Sequence, residues 1–257
     1  MTSTYQPTER LDGRVAVITG GAGAIGTRTA QLLSERGARI ALIHRRDEPA
    51  RTQAILDGLS GSGHRAYTAS VTDSASLAQA AEAIAREMGT ASILINSAGH
   101  TQPVPLNDLD ALSDALIDDM MQVNFRGVIA SIRAFMPQLR SAPDAVVVNV
   151  SSIAAFTGQG SNLAYAASKA ATDLATKSLA KALAPDLRVV GVSPGVVNTG
   201  FVPGRGPEFN QKAAASTPLR RVGEADDVAH AILALTTSLA FATGTTLVVD
   251  GGRHLVA

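Results

Sequence analysis

Seven short apolar, β-branched runs alternate along this chain with six longer segments of helical periodicity, and that alternation leaves few folds open. The runs are Val15–Thr19, Ile40–Ile43, Ala66–Ala69, Ile93–Asn96, Val146–Val150, Val189–Val192 and Leu247–Val249. Between them, helical patterns cover Ile25–Arg36, Pro49–Leu59, Ser74–Met88, Leu112–Leu139, Tyr165–Leu183 and Asp226–Leu239. A strand, a helix and another strand in succession form a parallel, right-handed unit. Several runs are apolar on both faces, as strands covered on both sides must be. The expectation is an α/β fold built on a parallel sheet.

At 257 residues such a chain commonly forms one domain. Residues 1–10 are polar and carry Pro7, so they read as a loose tail before a single domain over 11–257. Thr199–Pro218 breaks the rhythm: with Gly200, Pro203, Gly204, Gly206, Pro207 and Pro218 it is predicted to hold no long regular element and to serve as a substrate loop or lid. Lys plus Arg (22) balances Asp plus Glu (22), which gives no field for nucleic acid or an anionic membrane. No run approaches a membrane span, and MTSTYQPTER lacks the apolar core of a secretory signal, so a cytoplasmic protein is expected. There is no Cys, and the five His are never closely spaced, so no metal site is expected.

Val15 to Gly26 reads as a buried strand, a glycine-rich turn and the start of a helix. In that setting Gly21, Gly23 and Gly26 match G-x-G-x-x-G, where glycine lets the backbone turn tightly and approach a pyrophosphate at the helix N-terminus. The turn as a whole comprises Gly20, Gly21, Gly23, Ala24, Ile25 and Gly26. A second strand ending in an acid would bind the adenosine ribose of NAD. Here it ends His44-Arg45-Arg46, with no acid before Asp47.

Tyr165 and Lys169 stand four residues apart, on one face of a predicted helix. Ser152 precedes Tyr165 by thirteen residues, at the end of a strand, and Asn124 precedes it by forty-one. A free phenol titrates near 10, so a nearby cation is needed to favour its phenolate, and Lys169 can supply that charge and also bind the nicotinamide ribose. Ser152 would hold the substrate oxygen against Tyr165, and Asn124 would hold a water that passes protons to solvent. The hydride would belong to the cofactor.

Taken together, these residues resemble the short-chain dehydrogenase/reductase family over about Leu11 to Gly252. Thr19–Gly26 resembles its T-G-x-x-x-G-x-G turn with Ala24 for the second glycine, and Asn96-Ser97-Ala98-Gly99 its N-N-A-G with Ser97 for the second Asn. Ser70-Val71 stands for the adenine-contacting Asp-Val, and Asn124, Ser152, Tyr165 and Lys169 match the catalytic tetrad. Pro194, Gly195, Val197 and Thr199 match the turn that contacts the nicotinamide. The resemblance implies a doubly wound (Rossmann) fold with seven parallel strands, usually as a homotetramer. It implies interconversion of a carbonyl and an alcohol, with Tyr165 as general acid/base. It also gives His44, Arg45 and Arg46 the 2′-phosphate end, with Arg45 foremost, so NADP(H) is expected over NAD(H). A pteridine-type reductase, and a non-catalytic NADP(H)-sensing regulator, are the alternative readings.

Overall fold

The computed structural model describes residues 7–45 and 49–256, so Arg46 and Asp47 lie outside the described residues. Seven strands are present: β1 (Val15–Thr19), β2 (Arg39–His44), β3 (Arg65–Thr68), β4 (Ala91–Asn96), β5 (Ala145–Val150), β6 (Leu187–Pro194) and β7 (Thr246–Val249). They pair in the order β3-β2-β1-β4-β5-β6-β7, every pair parallel. The connecting helices are α1 (Ala24–Glu35), α2 (Pro49–Asp57), α3 (Ser74–Met88), α4 (Asp114–Met121), α5 (Gly127–Ser141), α6 (Ala154–Thr157), α7 (Leu163–Leu183), α8 (Pro207–Ser216) and α9 (Ala225–Thr236). This is the doubly wound sheet expected from the sequence.

Strand alternation sorts the core into two layers. Ala16, Ile18, Ile40, Leu42, Ile93, Ile95, Val146 and Val148 face α1 and α9, while Val15, Val17, Ala41, Ile43, Leu94 and Val147 face α3, α5 and α7. Phe135 of α5 is fully buried in the second layer; burial of a side chain of that kind contributes roughly 1.5 to 3 kcal/mol. The strand order reverses between β1 and β4, so a crevice opens beyond Thr19 and Asn96, the place where ligands bind in open α/β sheets.

Two expectations need correction. Leu112–Leu139 is not one helix: a π-helical turn at Gln122–Arg126 separates α4 from α5, and Asn124 sits inside it. Nor is Thr199–Pro218 without a regular element. Gly206 and Pro207 start α8 there, because proline at the first helical position gives up an N–H that has no partner anyway.

Candidate active site and cofactor crevice

The glycine-rich turn is built for close approach. Gly20 has φ +67°, and a Cβ on it would lie 2.8 Å from the Ala98 backbone; one on Gly26 would lie 2.5 Å from the Gly20 carbonyl. Side chains at either position would fill the space between β1, β4 and α1. Ala24, in contrast, opens α1 as its first residue and is exposed, so it replaces glycine without backbone strain. No side chain caps the N-terminus of α1, which leaves its first amides for an anion. Ile25 packs its side chain back onto the core.

The rest of the crevice follows the sheet edge. Asn96 is buried, and its Nδ2 donates to Asn149 Oδ1 at 2.9 Å while its own Oδ1 is buried with no partner. Ala98 N donates to Thr19 Oγ1 at 3.4 Å, which ties the turn after β4 to β1, and Gly99 follows beside the Asn124 amide. Ser70 Oγ shares a hydrogen bond with Thr72 Oγ1 at 2.8 Å, and Val71 packs where a Cβ on Gly127 would fall. At the end of β6, Pro194 accepts from Ile153 N, Gly195 lies against Asp250, and Val197 bridges to Gly223. Thr199 Oγ1 accepts from Phe201 N at 3.3 Å. An orphaned buried acceptor, a strained glycine and an uncapped helix end together fit a dinucleotide.

At the adenosine end, His44 closes β2 half-buried and Arg45 is exposed just beyond it. Arg51, which the sequence reading passed over, reaches back from α2 so that its Nη2 donates to the Ala22 carbonyl at 2.6 Å. A cation therefore lies against the glycine turn itself. Its only sequence signal was the proximity of Arg51 to the Arg45-Arg46 pair. A cleft of about 680 Å³ between α2 and β3 touches this end at His44 but includes none of the tetrad.

The chemical end gathers four residues from three elements: the π turn, the turn after β5 and α7. Asn162 caps α7 by accepting from Tyr165 N at 2.6 Å, which fixes Tyr165 in the first turn of the helix. Ser152 stands in the turn after β5, where its Oγ accepts from Ala154 N at 3.2 Å, close enough to the Tyr165 phenol to lower its pKa. Lys169, one turn further along α7, is buried, and its Nζ donates to the Val150 carbonyl at 2.7 Å while lying 5.8 Å from the Tyr165 ring centroid. Asn124 is held at both ends of its amide: Oδ1 accepts from His100 N at 2.8 Å, and Nδ2 donates to His100 O at 2.9 Å and Ser168 Oγ at 3.2 Å. Its side chain thus clamps the β4 turn to α7.

Burial dominates the electrostatics here. It pushes the Tyr165 phenol up to about 12, opposed by the Ser152 hydrogen bond and by the charge of Arg205. The Lys169 amine is lowered to about 8 by the same loss of water, opposed by Asp173 one turn along α7. Asp173 is in turn raised by burial, against hydrogen bonds from Ser151 and Thr246. At neutral pH the arrangement is a protonated phenol beside a mostly protonated amine. Such a phenol can donate a proton, and the phenolate left behind would be stabilised by two cations. Among the described residues no group of three His, Asp or Glu side chains could hold a metal ion, and no helix is long and apolar enough to cross a membrane.

Comparison with known proteins agrees with this geometry. Residues 20–254 match the family model described as enoyl-(acyl carrier protein) reductase. The cis-4-hydroxycyclohexanecarboxylate dehydrogenase of Sinomonas cyclohexanicum is 34% identical over 253 residues, 96% of this chain and 99% of that protein. The 3-oxoacyl-(acyl-carrier-protein) reductase of Escherichia coli strain K12 is 31% identical over 248 residues, 96% of this chain and 99% of that protein. Among solved structures, an NADPH-bound short-chain oxidoreductase from Pseudomonas aeruginosa PAO1, which contains an atypical catalytic centre, superposes with a TM-score of 0.85 at 34% identity, covering 95% of this chain and 97% of its own.

Proposed function

This chain belongs to the short-chain dehydrogenase/reductase family, whose members are oxidoreductases that use a nicotinamide cofactor, and from that premise we propose an NADP(H)-dependent enzyme that interconverts a carbonyl and an alcohol with Tyr165 as its general acid/base. The observation that carries this reading is the convergence of the Ser152 hydroxyl, from the turn after β5, with the Tyr165 phenol and the Lys169 amine, one turn apart on α7, at the carboxyl ends of β5 and β6. When bound, the cofactor supplies or accepts the hydride. The chain's own residues handle position and the proton. Ser152 donates a hydrogen bond to the substrate oxygen and holds it against Tyr165. In the reducing direction Tyr165 Oη gives its proton to that oxygen, and burial keeps the phenol protonated until that moment. Lys169 and Arg205 favour the phenolate that results.

The glycine turn, Ser70-Val71, Asn96, Ala98 and Gly99 would hold the cofactor, and Pro194, Gly195, Val197 and Thr199 its nicotinamide end. Preference for NADP(H) rests on Arg45 after β2 and Arg51 at the Ala22 carbonyl, since β2 itself ends in His44 and not in an acid that would bind a ribose diol. Arg46 would add to the same charge. Guanidinium groups bind phosphate through paired, charge-assisted hydrogen bonds. A cytoplasmic homotetramer is the assembly this reading favours, with Leu174 of α7 and Phe241 left exposed for self-association. Light scattering at micromolar concentration tests it; a monomer would refute it.

Tyr165→Phe is the decisive variant. It should cut carbonyl-dependent NADPH consumption by roughly a hundredfold to ten-thousandfold, with NADPH affinity nearly unchanged. Near-normal turnover in that variant would remove Tyr165 from the mechanism.

A further inference from the structure

Phe201, Arg205 and Phe209 form one group at the mouth of the site. The Phe201 ring lies against the Tyr165 ring with centroids 6.0 Å apart, and the Arg205 guanidinium lies 4.3 Å from the centroid of Phe209. Arg205 is half-buried. The similarly half-buried Arg28 pairs with Asp226. Arg205 pairs with no acid among the described residues, and the ionisable groups that act on it are the Tyr165 phenol and a second cation, Arg253. Arg253 in turn is bound by neutral oxygens alone among the described residues, Ala213 O at 3.1 Å, Ser216 Oγ at 2.8 Å and Thr217 Oγ1 at 3.5 Å. Positive charge is thus gathered beside the phenol with no acid paired to Arg205 or Arg253 among the described residues.

A partly desolvated cation of this kind is costly unless something negative meets it. The Phe201 ring also reaches the turn after β4, 3.4 Å from where a Cβ on Gly99 would stand. Resting on the carbonyl–alcohol reading above, we infer that Arg205 is the specificity-determining residue for a carboxylate on the substrate, and that the substrates are oxo carboxylates and the matching hydroxy carboxylates. The geometry suits a carboxylate: the guanidinium is a planar fork held over an aromatic ring, and such a fork offers paired N–H donors to a planar anion. The two phenylalanines would cover the carbon skeleton between the carbonyl at Tyr165 and the carboxylate at Arg205.

The test uses a panel of aliphatic and alicyclic oxo acids of graded chain length, each paired with its methyl ester. Wild type, Arg205→Gln and Arg205→Lys are compared by kcat/KM, by NADPH affinity, and by calorimetric binding of each compound to the protein saturated with NADP+. The wild type should favour the acid of its best pair by about tenfold to a hundredfold. Arg205→Gln should erase that preference and Arg205→Lys keep part of it, with NADPH affinity unchanged in both. Equal use of acids and esters by the wild type overturns the inference while leaving the carbonyl reaction standing. So does a loss of NADPH affinity in Arg205→Gln without loss of the acid preference, which would assign the arginine to the cofactor. If no pair is turned over but acids bind the NADP+ complex in an Arg205-dependent way, the carboxylate site holds and the reaction assignment fails.

Discussion

Lys169 is a charge held where water does not reach, and its cost can be read as a pH dependence of stability. Burial lowers the amine from 10.5 to about 8, against an opposing pull from Asp173. A base whose folded pKa lies below its unfolded one binds fewer protons when folded. Stability therefore rises with pH between about 8 and about 10.5, and the penalty is fully present below that window. Each pKa unit is worth about 1.4 kcal/mol, so the penalty at neutral pH is on the order of 3 kcal/mol, most of it relieved between about pH 7 and about pH 10. Other groups titrate in the same range, so the quantity to measure is the difference between wild type and Lys169→Met. The hydrogen bond to the Val150 carbonyl is lost in the variant at every pH and adds only a constant offset. Urea unfolding of both proteins, at one fixed protein concentration because assembly contributes to apparent stability, should show the wild type gaining about 2 to 3 kcal/mol on the variant across that range. A difference that stays flat with pH would show that Lys169 is solvated or neutral in the folded state, and would refute the reasoning.

Arg45→Asp should reverse cofactor choice. The wild type is expected to favour NADPH over NADH by about tenfold to a hundredfold in kcat/KM, from one charge-assisted bond; no shift in the variant would leave Arg45 as an exposed loop residue only. Gly20→Ala should cost at least about 2 kcal/mol of stability, since it combines a left-handed backbone with a Cβ 2.8 Å from Ala98. A urea midpoint unchanged from wild type would contradict the tight turn, and the same variant should bind NADPH more weakly.

The strands that carry the site were legible because they are covered on both faces: β1 and β5 are apolar enough to be seen without context. β3 reads RAYT, with ends exposed, and its bounds were placed one residue late. The tetrad was visible because Tyr165 and Lys169 lie on a single helix turn and Ser152 ends a strand. Nothing local marks the π turn, since helical periodicity runs through Gln122–Arg126 without Gly or Pro. Asn149 was missed although it left a sign, a lone amide inside the apolar run AVVVNV; it receives Asn96 and donates to Thr176. Arg51 left only its proximity to the Arg45-Arg46 pair, and Arg205 left none. Whether an arginine turns toward a glycine loop or a catalytic phenol depends on how distant segments fold back, and no spacing along the chain encodes that.

On an uninterrupted helix Asn124 would fall on the same stripe as Val128, Phe135 and Leu139, four, eleven and fifteen residues later, with its amide aimed into hydrocarbon. The π turn takes one residue more than an α turn and so offsets the helix before it from the helix after it, by up to one step of about 100°. α4 and α5 therefore run out of phase. Met120 joins the cluster around Tyr165 with Val104, Leu112, Ala154 and Ala164, while Phe135 and its neighbours join the sheet. The chain thereby gains two hydrophobic compartments that answer to different constraints. Substitutions that repack the stripe under the sheet can drift without turning the Asn124 clamp, and the walls of the substrate chamber can change without loosening the sheet.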